Sequence, residues 1–462
     1  MTTRRGFVTG CSAAVAAYAG ANVNTLAFGA PGDTSRDVIV SIFLRGGIDG
    51  LNLIMPTAGA DRGHYEAARP DIAVPVSGAS SALPLGGGLG IHRAIDAFPS
   101  GEVPPATLWD LYQGGKVSLV VGTGMHTSNR SHFDSMAYME LGTPGTTSTS
   151  TGWLTRHLQT VDLPPDPTML SLAAGNMTPT SLRGRLDSVN MSSPGSFSLN
   201  VGPWQWRDAW RVALRNLYGA ANGGNTWLHT SGSEALDTID IIELHAGGDY
   251  EPANGAIYPG GSLGSHLQTI ARMIKLDLGL QVATVDFGGW DTHNGQGDDG
   301  GGYFSAHLQE LARGLAAFYT DLDGAGASNY VDRVTVVVNS EFGRRLRQNA
   351  DRGSDHGHGC MMMVMSGNAT GGVHGVWPGL ANGQLFDGAD LEVTTDYRRV
   401  LSEILIRRTA NPYIGDVFPS YQGYQPLGVV QGTDLTPLGP GGIFADNFES
   451  GGLGAWSASS GG

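Results

Sequence analysis

Residues 36–44 read RDVIVSIFL and residues 45–50 read RGGIDG. The first run is β-branched and almost wholly apolar, without the polar alternation of a half-solvated strand. It therefore predicts a strand buried on both faces, and Arg45-Gly46-Gly47 predicts the loop that leaves it. Four more runs repeat the pattern: Lys116 to Thr123, Gln281 to Phe287, Arg333 to Asn339 and, more weakly, Met361 to Met365. Helical periodicity lies between them, at Thr107 to Tyr112, Ser131 to Leu141, Arg207 to Tyr218, Ser265 to Leu276, Phe304 to Leu322 and Thr395 to Arg408. Thr394 or Thr395 is the expected N-cap of the last helix, and Arg407-Arg408 suit its C-terminal end. Strands alternating with helices predict an α/β fold, a doubly wound, mostly parallel sheet with helices on both faces.

Residues 143–200 and 219–262 are rich in Gly, Ser, Thr and Pro and show no strong period. They read as loops or a small cap, giving one sheet domain over 31–427 with insertions at about 143–262. From 428 to 462 Pro, Gly and Asp dominate, which reads as a tail.

Among 462 residues, Gly accounts for 71, about twice its usual share of roughly 7%. Charged residues are 15%, against roughly 25% in typical soluble domains. Asp and Glu number 42 and Lys and Arg 27, a net charge of −15, and Lys116 and Lys275 are the only lysines. An acidic chain without a basic run is a poor partner for nucleic acid or an anionic membrane. No Gly-x-Gly-x-x-Gly opens a helix after a strand, which argues against a dinucleotide-dependent oxidoreductase.

The first 30 residues carry Arg4-Arg5, Phe7, a small-residue apolar stretch from Thr9 to Ala27 and no acid before Asp33. This resembles a twin-arginine export signal ending near Ala27-Phe28-Gly29-Ala30, and implies passage through the twin-arginine machinery to the periplasm or beyond. Loss of residues 1–30 removes two arginines and no acid, so the charge moves from −15 to −17. It also removes Cys11 and leaves Cys360 alone, so no internal disulfide is expected. No further stretch is apolar enough to span a membrane.

In open parallel sheets, ligands bind beyond the carboxyl ends of the strands. Those ends are rich in donors here. They include Asp49 after the first strand, and Arg130, Ser131, His132, Phe133 and Asp134 after the second. Asp291 and His293 follow the third strand, Glu341 the fourth, and Asp355, His356 and His358 lie in the loop beyond. Asp291-x-His293 and His356-x-His358 place donors two apart, a reach suited to one ion in an extended segment. Asp49, Asp291, His293, Glu341, Asp355, His356 and His358 are the candidate ligands of one or two divalent ions, zinc first, with manganese or calcium as alternatives. Ser131 suits a nucleophile at a helix N-terminus as well as it suits an N-cap, with Ser128 as a rival in either role. Arg45 and Arg130 are candidates to hold an anionic oxygen.

FLRGGIDGLN, Asn129-Arg130-Ser131-His132-Phe133-Asp134, GGWDTHN, SEFGRR and DHGHG, in this order, resemble family 1501 of the domains of unknown function. The resemblance covers roughly residues 35–420 and includes GVWPGL at 375–380 and TTDYR at 394–398. That family is similar to the alkaline phosphatase and sulfatase superfamily, which implies a metal centre at the strand ends and a hydroxyl or formylglycine nucleophile. By this resemblance Asp49 is a metal aspartate, Asp291 and His293 a metal pair, His356 or His358 the late histidine and Ser131 the nucleophile. Phe342 stands where the superfamily has a histidine after Glu341. No Cys-x-Pro-x-Arg signature occurs, so formylglycine chemistry is not expected. The implied activity is hydrolysis of a small anionic phosphate or sulfate ester. The alternative is a non-catalytic exported protein binding a glycan or envelope component, for which the nine tryptophans and polar insertions are suited. Residues 443–457 resemble a short C-terminal signature of other exported bacterial proteins.

Overall fold

The computed structural model of the chain describes residues 36–439, apart from 164–168, 186, 200–203, 220–225, 247 and 298–300. The expected export signal at 1–30 lies outside the described residues, as does the expected tail of 428–462 from 440 onward. The described start of that tail is instead packed on the fold: Val429 and Val430 are 0% exposed in the second core, and their N–H groups donate to Glu403 Oε1 at 2.6 and 3.3 Å. Fourteen strands follow in order among the described residues: β1 (Val38–Leu44), β2 (Ile54–Pro56), β3 (Leu83–Gly86), β4 (Leu89–Ile91), β5 (Val117–Gly124), β6 (Ser171–Ala174), β7 (Val189–Asn190), β8 (Val282–Phe287), β9 (Val334–Asn339), β10 (Arg344–Gln348), β11 (Ser354–His356), β12 (Cys360–Ser366), β13 (Gly372–His374) and β14 (Thr395–Asp396).

Nine of them form the central sheet in the order β13-β5-β12-β9-β1-β8-β6-β7, with β14 also pairing with β5. Every neighbouring pair is parallel except those of β12, which runs antiparallel to both β5 and β9. The fold is therefore α/β with a mixed, mostly parallel sheet. The five strands expected from sequence are its centre. All seven residues of β1 are buried, as its continuous apolar run requires. Val38, Val40, Ile42 and Leu44 enter one core with the helices Ser262–Lys275 and Gly302–Leu322. Ile39 and Phe43 enter a second core with the helices Trp153–Thr160 and Tyr397–Thr409. Helices thus cover both faces, and the strand period of two sorts the side chains between them.

The reversed direction of β12 matters for function. Its first residue, Cys360, pairs with Thr123 near the carboxyl end of β5. The lead-in to β12 therefore lies on the edge where β1, β5, β8 and β9 end. The chain stays on that edge after β9 by folding the hairpin β10–β11.

The region expected to be loop or cap is more regular than its composition predicts. β6 and β7 extend the sheet beyond β8, and a helix, Trp227–Ala246, packs on Arg207–Tyr218. This helix pair has a small core of its own, with Leu199, Leu214 and Leu236 buried. Ion pairs from Arg211 and Arg215 to Asp237, Asp240 and Glu243 hold it. Gly232 lowers the helical signal for a packing reason: a Cβ there would lie 2.5 Å from the Tyr218 ring, so a weak helix former marks close approach. The last long helix begins at Tyr397, two residues later than expected, because Asp396 is the N-cap, its carboxylate accepting from the Arg398 N–H at 2.9 Å. Among the described residues no helix is long and apolar enough to cross a membrane. Cys360 is free and buried, and burial pushes its thiol up to about 12.

Candidate metal centre

Four strand ends and the lead-in to β12 assemble the site. Gly46, at φ +120°, lets the loop after β1 lie against the loop after β8; a Cβ there would be 2.5 Å from the Asp291 nitrogen. Gly353 does the same for the β10–β11 turn, where a Cβ would be 2.3 Å from the His293 carbonyl. After β5, Ser131 caps the helix His132–Leu141, its hydroxyl accepting from the Asp134 N–H at 3.5 Å, so His132 begins the first turn.

Three imidazoles converge on one carboxylate oxygen, Oδ1 of Asp291. His132 Nε2 lies 3.3 Å from it, His293 Nε2 3.1 Å and His356 Nε2 3.2 Å. Each ring is oriented from behind. His132 Nδ1 donates to Glu341 Oε1 at 2.7 Å, His293 Nδ1 to Asp355 Oδ1 at 3.0 Å and His356 Nδ1 to the Arg130 carbonyl at 2.8 Å. These acceptors place the proton on Nδ1 and leave the Nε2 lone pairs facing inward. His293 and His356 bring two such atoms within 2.8 Å, an approach that needs a proton or a cation between them. His132 Nε2 is buried and without a hydrogen bond.

One ligand atom each from His132, Asp291 and His356 lies within 4.8 Å of the others. Tetrahedral bonds of roughly 2.0–2.1 Å place ligands about 3.3 Å apart, close to the histidine–Asp291 separations. The inward-facing Nε2 atoms, their convergence on one carboxylate oxygen and the mixed nitrogen–oxygen set fit a divalent ion of the zinc or manganese kind.

Arg344 is the strongest neighbour. It is fully buried and donates to the carbonyls of Gly46, Gly47 and Ser354, and to Asp291 Oδ1 at 2.5 Å. Burial opposes ionisation of Asp291, but this guanidinium, with His293 and His132, holds the carboxyl down at about 2. The hydrogen bond to Glu341 raises the His132 pKa, whereas burial lowers that of His356. The Phe342 ring, 4.9 Å from His132 and 5.0 Å from His356, forms an apolar wall.

The other sequence candidates sit around this core in different roles. Asp49 is fully buried and accepts from Arg69 Nη1 and Gln296 Nε2, both at 2.6 Å, and from the Asn52 N–H at 3.3 Å. Its oxygens are engaged there and not with the histidines. Glu341 stands behind His132. Asp355 stands behind His293 and also accepts from Asn349 at 3.1 Å. His358 stacks on Phe386 at 3.9 Å, and burial brings its pKa down to about 4. Arg45 pairs with Glu140 at 2.7 Å and Asp286 at 2.8 Å, and Arg130 with Asp390 at 2.5 Å and Asp387 at 3.3 Å. Ser131 is engaged as the helix cap.

His132 is the member that spacing did not single out. Its only sequence signal was its place directly after a strand-end loop, in the same motif as Ser131.

A family profile described as protein of unknown function (DUF1501) matches residues 114–407. The chain belongs to the DUF1501 family. The match takes in His132, Asp291, His293, Glu341 and His356, while β1 and Asp49 precede it. No curated protein matches the chain.

Proposed function

We propose that this DUF1501 protein is an exported metal-dependent hydrolase of phosphate or sulfate esters, on a scaffold related to alkaline phosphatases and sulfatases. The observation that carries the reading is the convergence of the His132, His293 and His356 Nε2 atoms on Asp291 at the sheet edge where α/β enzymes place their sites. His132, Asp291 and His356 would hold the ion, with His293 at its rim. Bound there, a divalent ion would polarise an ester oxygen and lower the pKa of a water.

The chain's own groups do the rest. Glu341 and the Arg130 carbonyl fix two imidazoles in the ligating tautomer. Arg344, buried and paired to Asp291, keeps that carboxylate ionised. Phe342 keeps water from the back of the rings. In this reading the attacking group is water; the Ser131 hydroxyl, which accepts only a 3.5 Å cap bond, is the alternative that Ser131→Ala tests. The export half rests on Arg4-Arg5 and the apolar stretch after them.

The test is turnover of an aryl phosphate, a phosphodiester and an aryl sulfate by the metal-loaded chain. Activity lost on chelation and in His132→Ala and Asp291→Ala, with unchanged circular dichroism, supports the proposal. Absence of turnover on all three with the ion bound overturns the hydrolase and favours an exported binding protein.

A further inference from the structure

The proposed metal centre leaves one buried acid without a role in ligation, and its contacts define one. Glu341 lies in the turn that leaves β9 and is 1% exposed. Neither oxygen is free. Oε1 accepts from the Gly46 N–H at 2.8 Å and from His132 Nδ1 at 2.7 Å, and Oε2 from the Ser340 hydroxyl at 3.0 Å. The Ser340 hydroxyl is in turn close to the Leu44 carbonyl, at 2.7 Å, and to the Ile48 N–H, at 3.1 Å. The carboxylate is thus tied to the loop after β1 on one side and faces a single side chain on the other. That side chain is the histidine whose opposite nitrogen is buried and faces Asp291 Oδ1 at 3.3 Å.

Resting on the metal reading above, we infer that Glu341 is a positioning residue. It does not ligate. It locks His132 as the Nδ1–H tautomer and aims Nε2 at the ion. Three features favour this role over a purely structural one. A buried carboxylate satisfied only for packing would need backbone or hydroxyl donors; Gly46 supplies one, and Ser340 a second that shares its single proton with the Leu44 carbonyl. The third donor is an imidazole whose opposite nitrogen faces Asp291, so the hydrogen bond to Glu341 decides which nitrogen carries the proton. The carboxylate also makes the bound imidazole a stronger donor to a metal, a contribution that a neutral acceptor supplies less well. His293 and Asp355 repeat the pattern at the rim, but there the histidine and acid are 43% and 50% exposed. The Glu341–His132 pair, its acid buried and its histidine 20% exposed, is therefore the one expected to dominate affinity.

The test measures zinc affinity of the full chain by competition with a chromophoric chelator, for the parent and for Glu341→Gln, alongside thermal melts. A structural role alone lowers the melting temperature and leaves the affinity of the folded chain unchanged. The positioning role weakens zinc binding by about 10- to 100-fold in folded protein. Equal affinity in Glu341→Gln and parent overturns the inference and leaves the metal centre standing; a parent that binds no zinc overturns the metal reading itself. If Glu341→Gln does not fold, ¹⁵N shifts of His132 in the zinc-loaded parent decide. Protonated Nδ1 with metal-bound Nε2 supports the inference, and ligation through Nδ1 overturns it.

Discussion

Asp49→Asn separates a structural aspartate from a metal ligand. Asp49 and Arg69 are both 0% exposed and 2.6 Å apart. Arg69's other acceptors are neutral: Asn52 Oδ1 at 2.7 Å and the Leu346 and Arg345 carbonyls, both at 2.8 Å. Asparagine keeps the shape and one accepting oxygen but removes the only carboxylate among the partners found for the guanidinium. Removing one partner of a buried ion pair costs roughly 3–5 kcal/mol. With an unfolding entropy of roughly 2.1 cal/mol/K per residue over about 400 ordered residues, that lowers the melting temperature by about 4–6 °C. The assay is a thermal melt followed by circular dichroism, with metal content measured on the same samples. The account predicts a clear loss of stability and undiminished metal. An unchanged melting temperature with the metal gone would refute it and make Asp49 a ligand.

Ser131→Ala removes a cap bond that is already long, so a loss of about 0.5–1 kcal/mol is expected with turnover within a few-fold of the parent. Abolished turnover in folded protein would make Ser131 the nucleophile. Buried His157 accepts from Asn411 Nδ2 at 3.0 Å, and burial lowers its pKa to about 3, whereas the unfolded chain protonates it near 6.5. The unfolded state therefore binds the extra proton between these values, and stability falls as the pH drops from 6.5 toward 3. Urea midpoints at pH 7 and pH 4.5 should draw closer together in His157→Gln. An NMR titration of His157 near 6.5 in the folded chain would contradict this.

The central sheet was legible because continuous apolar runs have few other uses, and β1, β5, β8, β9 and β12 each lie within a residue or two of their expected bounds. The edge strands β6 and β7 were not. Ser-Leu-Ala-Ala and Val-Asn are too short and too poor in β-branched residues to announce strands that pair on an existing edge. The site was legible as a location. Its membership was only partly so, because sequence spacing reveals pairs and this centre draws single residues from distant segments. His132 and Asp291 are 159 positions apart, joined only by the order of β5, β12, β9, β1 and β8 in the sheet. His356 and His358 look equivalent in sequence. Gly357, packed against the Arg344 backbone, carries the chain onward so that His358 meets Phe386. Asp49 and Glu341 looked like ligands because a strand-end carboxylate does, and only the positions of Arg69 and His132 show what each one holds.

The most direct test of the metal centre is elemental analysis by plasma mass spectrometry of the purified chain, the His132→Ala/His356→Ala variant and the His358→Ala variant. The account predicts a stoichiometric divalent ion in the parent and in His358→Ala, and none in the double variant. A parent without metal after incubation with zinc and manganese, or a double variant that keeps its full complement, would contradict it.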